Sequence, residues 1–273
     1  MFRGIYASTS AMLVQEKMLD VVGNNLANVD TSGFRARVAV NQSFPEVLMD
    51  RVERYSIVDE ALNEELGDRK FFPYVRGRTS IGTMSLSSVM SETVMSTLPG
   101  TVKYTDSPLD MMIHGQGFFV VEDGSGNTFY TRQGHFQRNA EGVVVTHEGE
   151  YLLGDGGRIE LGDDIQSIFV DETGQIMVNN EVVAQVQIVD FENPTYLRQV
   201  GRSLLSETAD SGAPQAADAP WVIGGALERS NVEVVSEMVR MIEANRAYES
   251  SAKALTSQDE LTSRMLTSVG KPS

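Results

Sequence analysis

The residues of this chain that could perform chemistry are few and widely spaced. The three histidines, His114, His135 and His147, are 21 and 12 residues apart, whereas a helical metal site needs its ligands within roughly three to five residues of each other. The chain contains no cysteine, which excludes thiolate nucleophiles, disulfides and cysteine-based metal sites. We therefore expect the histidines to be structural or surface residues.

Three other segments match binding motifs only in part. Residues 123–127, Asp-Gly-Ser-Gly-Asn, open like a calcium loop, but the loop lacks glycine at position six and has Gly134 in place of the acidic residue at position twelve. Residues 115–117 lack the third glycine of a dinucleotide-binding loop and lead into a strand. The acidic pair at 163–164 follows a glycine, as in a solvated turn. The sequence predicts a protein that is not an enzyme and that holds no metal and no cofactor.

Composition limits the partners. The 273 residues can form two domains, and the formal net charge of −16 disfavours nucleic acid and anionic membrane surfaces, which need a basic face. No apolar run approaches the roughly 20 residues that cross a bilayer. Charged residues interrupt the first apolar stretch, so it lacks the core of a secretory signal. We expect no membrane insertion, and export without a cleaved leader if the protein leaves the cytoplasm.

Both ends of the chain must supply the elements that position any site. Residues 4–28 and 232–269 predict amphipathic helices with seven-residue periodicity. Such helices bury their apolar seams, either against each other in a coiled coil or against other subunits. The N-terminal seam contains Ile5, Met12, Leu19 and Leu26, with Val22 and Val29 completing part of a second row. The C-terminal seam contains Val234, Met238, Met241, Asn245, Tyr248, Ala252, Leu255, Asp259, Thr262, Leu266 and Val269.

Two polar residues interrupt the C-terminal seam. Asn245 and Asp259 would fix the register or the oligomeric state if they are buried in it. If the seam instead follows a 3.6-residue period, Asp259 reaches water. The sequence leaves both readings open. Ser230 or Asn231 is a candidate N-cap for this helix.

The centre of the chain predicts short strands and turns. Residues 117–122 and 128–132 form a hairpin around the turn at 123–127, and a short helix is expected around residues 45–54. The similar segments at 139–145 and 171–177 indicate two β-turns of one kind rather than a duplication. The fold class is α+β, with a coiled-coil-like domain of terminal helices and a central antiparallel β domain. The expected boundaries are 1–34 (N-terminal helix and turn), 35–82 (extended connection), 83–205 (β domain), 206–226 (linker) and 227–273 (C-terminal helix).

Three separated segments together resemble one family. Residues 24–35, Asn-Asn-Leu-Ala-Asn-Val-Asp-Thr-Ser-Gly-Phe-Arg, resemble the N-terminal signature of bacterial flagellar rod and hook proteins. Residues 227–233 and 237–249 are similar to the C-terminal signature of that family. Residues 109–119 and 130–134, which include Ile-His-Gly-Gln-Gly-Phe-Phe and Tyr-Thr-Arg-Gln-Gly, resemble its β-domain segment.

The resemblance implies a structural subunit of the basal-body rod. The terminal helices would pack with those of neighbouring subunits into an inner tube, and the β domain would form an outer layer. Its partners would be copies of itself, other rod proteins and the flagellar type III export apparatus, and its location would be the periplasmic rod. The residues implied at the assembly interface are Ile5, Met12, Leu19, Leu26, Asn24, Asn25, Asn28, Val234, Met238, Met241, Asn245, Tyr248, Leu255 and Leu266.

Two questions remain open at this point. Residues 41–48 resemble the proximal-rod member that has a β domain, whereas residues 246–249 and 211–214 are closer to the distal-rod protein; the proximal member is preferred. An alternative of another class is a soluble binding module that its terminal helices merely dimerise.

Overall fold

A computed structural model describes residues 2–43, 46–56, 74–85, 88–162, 165–217 and 220–269. Helices α1 (Phe2–Ala27) and α2 (Val234–Val269) lie at the two ends, and the described elements between them are strands apart from one short 3₁₀-helix, so the fold is α+β. The chain divides into two compact units: one contains residues 1–15, 41–91 and 247–273, and the other contains residues 16–40 and 92–246. Among the described helices, none is long and apolar enough to cross a membrane.

The strands are short except in one hairpin. In chain order they are β1 (Arg37–Ser43), β2 (Glu46–Ser56), β3 (Tyr74–Ser85), β4 (Ser88–Met95), β5 (Val102–Tyr104), β6 (Met111–His114), β7 (Phe118–Glu122), β8 (Thr128–Thr131), β9 (Phe136–Arg138), β10 (Val144–Thr146), β11 (Tyr151–Gly154), β12 (Gly157–Arg158), β13 (Ile168–Val170), β14 (Gln175–Val178), β15 (Glu181–Gln185), β16 (Ile188–Asp190), β17 (Arg198–Val200), β18 (Leu204–Ser206), β19 (Gln215–Ala216), β20 (Trp221–Gly224) and β21 (Ala226–Glu228). A short 3₁₀-helix, Pro194–Tyr196, precedes β17.

The smaller unit contains a long antiparallel pair. Strand β2 pairs with β3 from Glu46↔Ser85 to Ser56↔Tyr74. The short helix predicted around residues 45–54 is therefore wrong, and Pro45 itself lies outside the described residues, as do the acidic residues 163–164. The prediction used only local residue preferences. The segment is extended instead because it pairs with a strand 18 or more positions further along the chain, and cross-strand pairs stabilise the extended form.

The larger unit is built around one ten-stranded sheet. Its main path runs β17-β18-β8-β7-β11-β10-β9, while β16 pairs with β7 and β19. The predicted hairpin is confirmed, since β7 and β8 pair from Phe119↔Thr131 to Glu122↔Thr128. Strand β7 is covered on both faces: Phe119 and Val121 belong to one apolar core, Phe118 and Val120 to another. This explains the unbroken apolar run in its sequence.

Three hairpin turns have the same hydrogen bonds. Asp123, Asn139 and Asp171 each donate their backbone N–H to the carbonyl four positions on, and their own carbonyl accepts from the N–H of a glycine three positions on. Those glycines have φ between 81° and 87°, which favours glycine. The resemblance between 139–145 and 171–177 is thus a repeated turn, as predicted, and the calcium-like segment 123–127 is a third example.

Strands near the C-terminal helix connect distant parts of the chain. Residues 206–226, expected to be a linker, contribute β19 and β20 and the start of β21. Strand β20 pairs with β6 and β21 pairs with β5. Their partners lie more than 100 positions earlier, so a local reading of this Ala-, Asp- and Pro-rich segment could not reveal them.

Candidate assembly site

The end of α1 is joined to β1 by the side chain of Asn25. This residue is 1% exposed. Its Nδ2 donates to the Arg37 carbonyl at 2.9 Å, and its Oδ1 accepts from the Arg37 N–H at 2.9 Å. Nδ2 also lies 3.3 Å from Oε2 of Glu237 on α2. The amide of Asn25 thus binds the backbone of Arg37 as a neighbouring strand would, and it also contacts the second terminal helix. These bonds satisfy both the donor and the acceptor of a buried amide.

The Asn-rich turn after α1 ends the helix and directs the chain toward the sheet. Asn28 Nδ2 donates to the Asn24 carbonyl at 2.8 Å, and Asn28 Oδ1 accepts from Thr31 at 3.2 Å. Gly33 follows with φ +72°, and its N–H donates to the Glu228 carbonyl at 2.8 Å. A Cβ on Gly33 would lie 2.4 Å from the Arg132 carbonyl oxygen. The turn is predicted by its residue types, but its contacts are not.

Replacement of Gly33 by alanine is expected to destabilise the larger unit by about 2–4 kcal/mol, because a left-handed alanine is strained and the methyl group meets backbone. Gly23→Ala is the matched control: Gly23 lies inside α1 with open space around it, so alanine there should stabilise by up to about 1 kcal/mol. Urea unfolding followed by the fluorescence of Trp221, the single tryptophan, measures both. Equal effects of the two variants would contradict this reading.

A buried ion network lies next to this turn. The side chain of Glu228 is 2% exposed; its Oε1 lies 2.7 Å from Nη2 of Arg35 and its Oε2 lies 3.4 Å from Nη1 of Arg132. Oε1 also accepts from the N–H of Gly100 at 2.8 Å. Arg35 Nη1 donates to the carbonyls of Thr97, at 3.1 Å, and Leu98. One carboxylate therefore forms ion pairs with two buried guanidinium groups, and removing it would leave Arg35 without its partner and Arg132 with only the electrostatic influence of Asp190.

Arg132 is the most deeply placed cation of this network. It donates to the carbonyls of Ile113 at 3.1 Å and Gly115 at 2.6 Å, and its guanidinium lies 5.3 Å from the centre of the Phe118 ring. Burial lowers the pKa of Arg132 to about 10, against the opposing effect of Glu228. Burial also lowers the pKa of Arg35, again opposed by Glu228. Both groups remain charged near neutral pH, so the network is ionic.

Asn231 links the strand region to the segment before α2. Its Oδ1 accepts from the Ala36 N–H at 2.7 Å, and its Nδ2 donates to the Leu98 carbonyl at 2.8 Å. The expectation that Ser230 or Asn231 caps the helix is wrong, because α2 begins at Val234. Asn231 instead satisfies backbone groups of two other segments, which sequence spacing cannot indicate.

The three histidines do not converge. Nδ1 of His135 lies 2.7 Å from Oδ1 of Asp110, and the His114 ring contacts Trp221 edge-on with centroids 4.7 Å apart; His147 is exposed. Within the part of the chain that the structure describes, no group of three or more His, Cys, Asp or Glu side chains could hold a metal ion.

The main predicted row of α1 lies beside its most buried apolar residues, one of which, Val22, belongs to the predicted second row. Ile5, Met12, Leu19 and Leu26 are all half-buried, whereas Val14 and Val22 are 5% and 2% exposed. Gly4 lies against Gln258 of α2, since a Cβ on Gly4 would come within 2.9 Å of the Gln258 side chain. The predicted helix is present, and its covered face includes polar and small residues that the seven-residue spacing passed over.

The covered row of α2 coincides with only part of the predicted seam. Six of the eleven seam residues are half-buried: Val234, Met241, Tyr248, Ala252, Leu255 and Thr262. Four other seam residues, Met238, Asn245, Asp259 and Leu266, are exposed, and the residue before each of the first three is covered instead. Asp259 therefore reaches water, the second of the two readings. The more covered members of the row are Glu237, Ala244, Ser251 and Gln258.

Comparison with known families assigns the chain. Three family models match: "Flagella basal body rod protein" at residues 5–35, "Flagellar hook protein FlgE/F/G D1 domain" at residues 112–178, and "Flagellar basal body rod FlgEFG protein C-terminal" at residues 223–268. The flagellar basal-body rod protein FlgG of Caulobacter vibrioides is 32% identical over 95% of this chain and 96% of its own length. The chain belongs to the flagellar basal-body rod protein family.

Other members of the rod protein family are about as similar. FlgG of Bacillus subtilis is 30% identical over 97% of this chain and 98% of its own length. FlgF of Caulobacter vibrioides is 29% identical over 99% of each chain. The chain is accordingly a structural subunit of the rod in the flagellar basal body, as its signatures predict.

The buried ion network takes one residue from each rod-family region. Arg35 is the last residue of the first match, Arg132 lies in the second and Glu228 in the third. All three residues lie within the sequence signatures, but the sequence alone assigns them no role. Each is a charged residue next to apolar residues and turns, and only the fold shows that the three come together.

Proposed function

We propose that this chain polymerises helically, with copies of itself and with other rod proteins, into the shaft that transmits torque from the flagellar motor to the hook. The observation that carries the proposal is an exposed apolar stripe on α2. Its members are spaced i, i+3, i+4 and i+7, which places them on one helix face. They are Val235, Met238, Val239 and Ile242, with exposed fractions of 69%, 48%, 49% and 52%.

Such a stripe favours burial against another protein. Each large apolar side chain that leaves water contributes about 1.5–3 kcal/mol, and four adjacent ones on one face form a surface that a monomer rarely leaves uncovered. Further along α2, Leu261, Met265 and Leu266 are also more than half exposed. Neighbouring subunits are the natural partners for these side chains, with the β domain as an outer layer around an inner tube of helices.

Pairing of the two terminal helices within one chain is part of the proposal. Asn25 contacts Glu237, and Gly4 lies against Gln258. The separation is 21 residues in each helix, three heptads, which is the register that an antiparallel coiled coil would keep. In this arrangement the covered rows pair within the chain, and the exposed stripe of α2 faces other subunits.

The position along the rod and the route to it are also proposals. Relatives named FlgG and FlgF are 32% and 29% identical to this chain, so overall identity does not separate the two. The resemblance of residues 41–48 favours the proximal rod. We further propose export through the flagellar type III apparatus without a cleaved signal, and a periplasmic rod location.

Photo-crosslinking in isolated basal bodies tests the polymer. A photoreactive residue in place of Met238 should yield products that contain two copies of the chain or one copy and another rod protein. A subunit-resolved map of the same particles gives the axial position. A chain that is absent from basal bodies and remains a compact dimer in solution would contradict the proposal and favour a soluble binding module.

A further inference from the structure

A cleft lined by arginine side chains lies within the larger unit, between the end of α1 and the strands β1, β4 and β17. Residues of α1, β1, β4 and the turn after β17 line a cavity of about 300 Å³. A second, much smaller cavity of about 20 Å³ adjoins it, because Arg37 and Gln199 line both. Arg202 lines the smaller one. We call these two cavities together the Arg37 cleft.

Two cations of the Arg37 cleft, Arg37 and Arg202, have no ion pair among the described residues, whereas Arg35, which also lines the smaller cavity, is paired with Glu228. Arg37 is half-buried, and among the described residues no carboxylate lies within ion-pairing distance of its guanidinium. Burial lowers the pKa of Arg37 without any anion to oppose it, unlike that of Arg35 in the neighbouring network. Arg202 is exposed in a turn and likewise has no ion pair within the described part of the chain. A desolvated, uncompensated guanidinium is unfavourable until an anion reaches it.

The neutral polar side chains of Gln199 and Thr93 also line the cleft, and Gln199 already donates to the Arg202 carbonyl at 2.8 Å. Asp20 is the one acidic residue of the lining, and its carboxylate already lies 3.7 Å from Lys17 at the surface. A carboxylate that entered the cleft would meet Arg37, with Arg202 at the rim, and both positive charges would attract it.

We propose that the Arg37 cleft receives an Asp or Glu side chain from a second copy of this chain in the rod. The inference rests on the proposed polymerisation. Charge complementarity supports this occupant: 38 acidic residues against 22 basic ones make the outer surface of each copy rich in carboxylates. A site of this kind would set the angle between neighbours, because complementary charges determine orientation and register at an interface.

Charge reversal in swimming cells tests the inference. Arg37→Glu and Arg202→Glu should each reduce the amount of chain incorporated in basal bodies about tenfold, the effect of losing one interfacial ion pair, with loss of swimming. Arg37→Lys keeps the charge and should swim. Arg198→Glu is the matched control, since Arg198 is exposed on β17 and outside the cleft, and it should also swim.

Suppressor selection identifies the occupant. Swimming revertants of the Arg37→Glu strain should carry an Asp or Glu to Lys or Arg change elsewhere in this same chain. Revertants that map only to another rod gene would overturn the choice of a second copy. Because Arg202 is exposed in a turn, Arg202→Glu retains the fold, and normal incorporation of this variant would overturn the inference.

The two proposals fail in different ways. Absence of the wild-type chain from basal bodies would refute polymerisation itself. A wild-type chain that is present, with the Arg37→Glu and Arg202→Glu variants incorporated equally, would refute only the role of the Arg37 cleft. An Arg37→Lys variant as defective as Arg37→Glu would show that shape rather than charge matters, and would also overturn the inference.

Discussion

Glu228→Gln is expected to lower the free energy of unfolding of the larger unit by about 3–5 kcal/mol, the cost of removing one partner from a buried ion pair. The variant keeps the shape of the side chain but removes the charge that compensates Arg35 and Arg132, whose side chains are 7% and 5% exposed. Both guanidinium groups would then be buried without an ion-pair partner, although Asp190 still acts on Arg132. Urea unfolding followed by Trp221 fluorescence measures the loss.

The control for this variant lies five residues away. Glu233 is exposed, so Glu233→Gln makes the same chemical change at the surface and should alter stability by less than about 0.5 kcal/mol. If Glu228→Gln were as stable as Glu233→Gln, the charge of Glu228 would not be needed for stability, and the three side chains would contribute only by packing. Such a result would also remove the reason for the charged residue in each of the three rod-family regions.

Met238→Asp is expected to abolish swimming while leaving the isolated chain as stable as the wild type, within about 0.5 kcal/mol. Met238 is 48% exposed, so aspartate there is solvated in the monomer. In the proposed rod the same position is buried, and a carboxylate without a partner is then costly at every subunit contact. Swim-plate assays and the content of this chain in basal bodies measure the loss.

Two comparisons support the interpretation of that variant. Met238→Leu keeps an apolar side chain and should swim. Met241→Asp and Leu255→Asp should also prevent swimming, but both residues are half-buried in the covered row, so a loss of monomer stability accompanies the defect. Normal swimming of Met238→Asp would refute the stripe on α2 as an interface between subunits.

The sequence predicted those elements whose signal is local. The terminal helices follow from seven-residue periodicity, and the hairpin at 117–132 follows from apolar runs on either side of a turn rich in Gly, Asp and Asn. The repeated turn at 139–145 and 171–177 could be interpreted because an Asx residue and a glycine three positions later determine its hydrogen bonds. The family signatures carried the functional prediction, since three of them occur in the correct order.

The sequence could not predict features that depend on contacts between distant parts of the chain. The covered face of α2 differs from the predicted seam at three places, where the residue before the seam position is covered instead: Ala244 is buried, for example, whereas Asn245 is exposed. Apolar residues occupy two adjacent faces of this helix, and periodicity alone cannot assign one to the chain itself and the other to neighbours. The pairing of Arg35, Arg132 and Glu228 likewise depends on residues that are about 100 positions apart.

The pairing of β5 with β21 and of β6 with β20 determines when this protein can fold. Residues 102–104 and 111–114 find their partners only at 221–228, and Glu228, which compensates Arg35 and Arg132, belongs to the same late segment. A chain that emerges N-terminus first therefore has these strands unpaired and both arginines uncompensated until most of its length is free. Contacts of such long sequence separation also form slowly. The fold therefore cannot close until most of the chain is available, which is the unfolded state that the proposed export route would need.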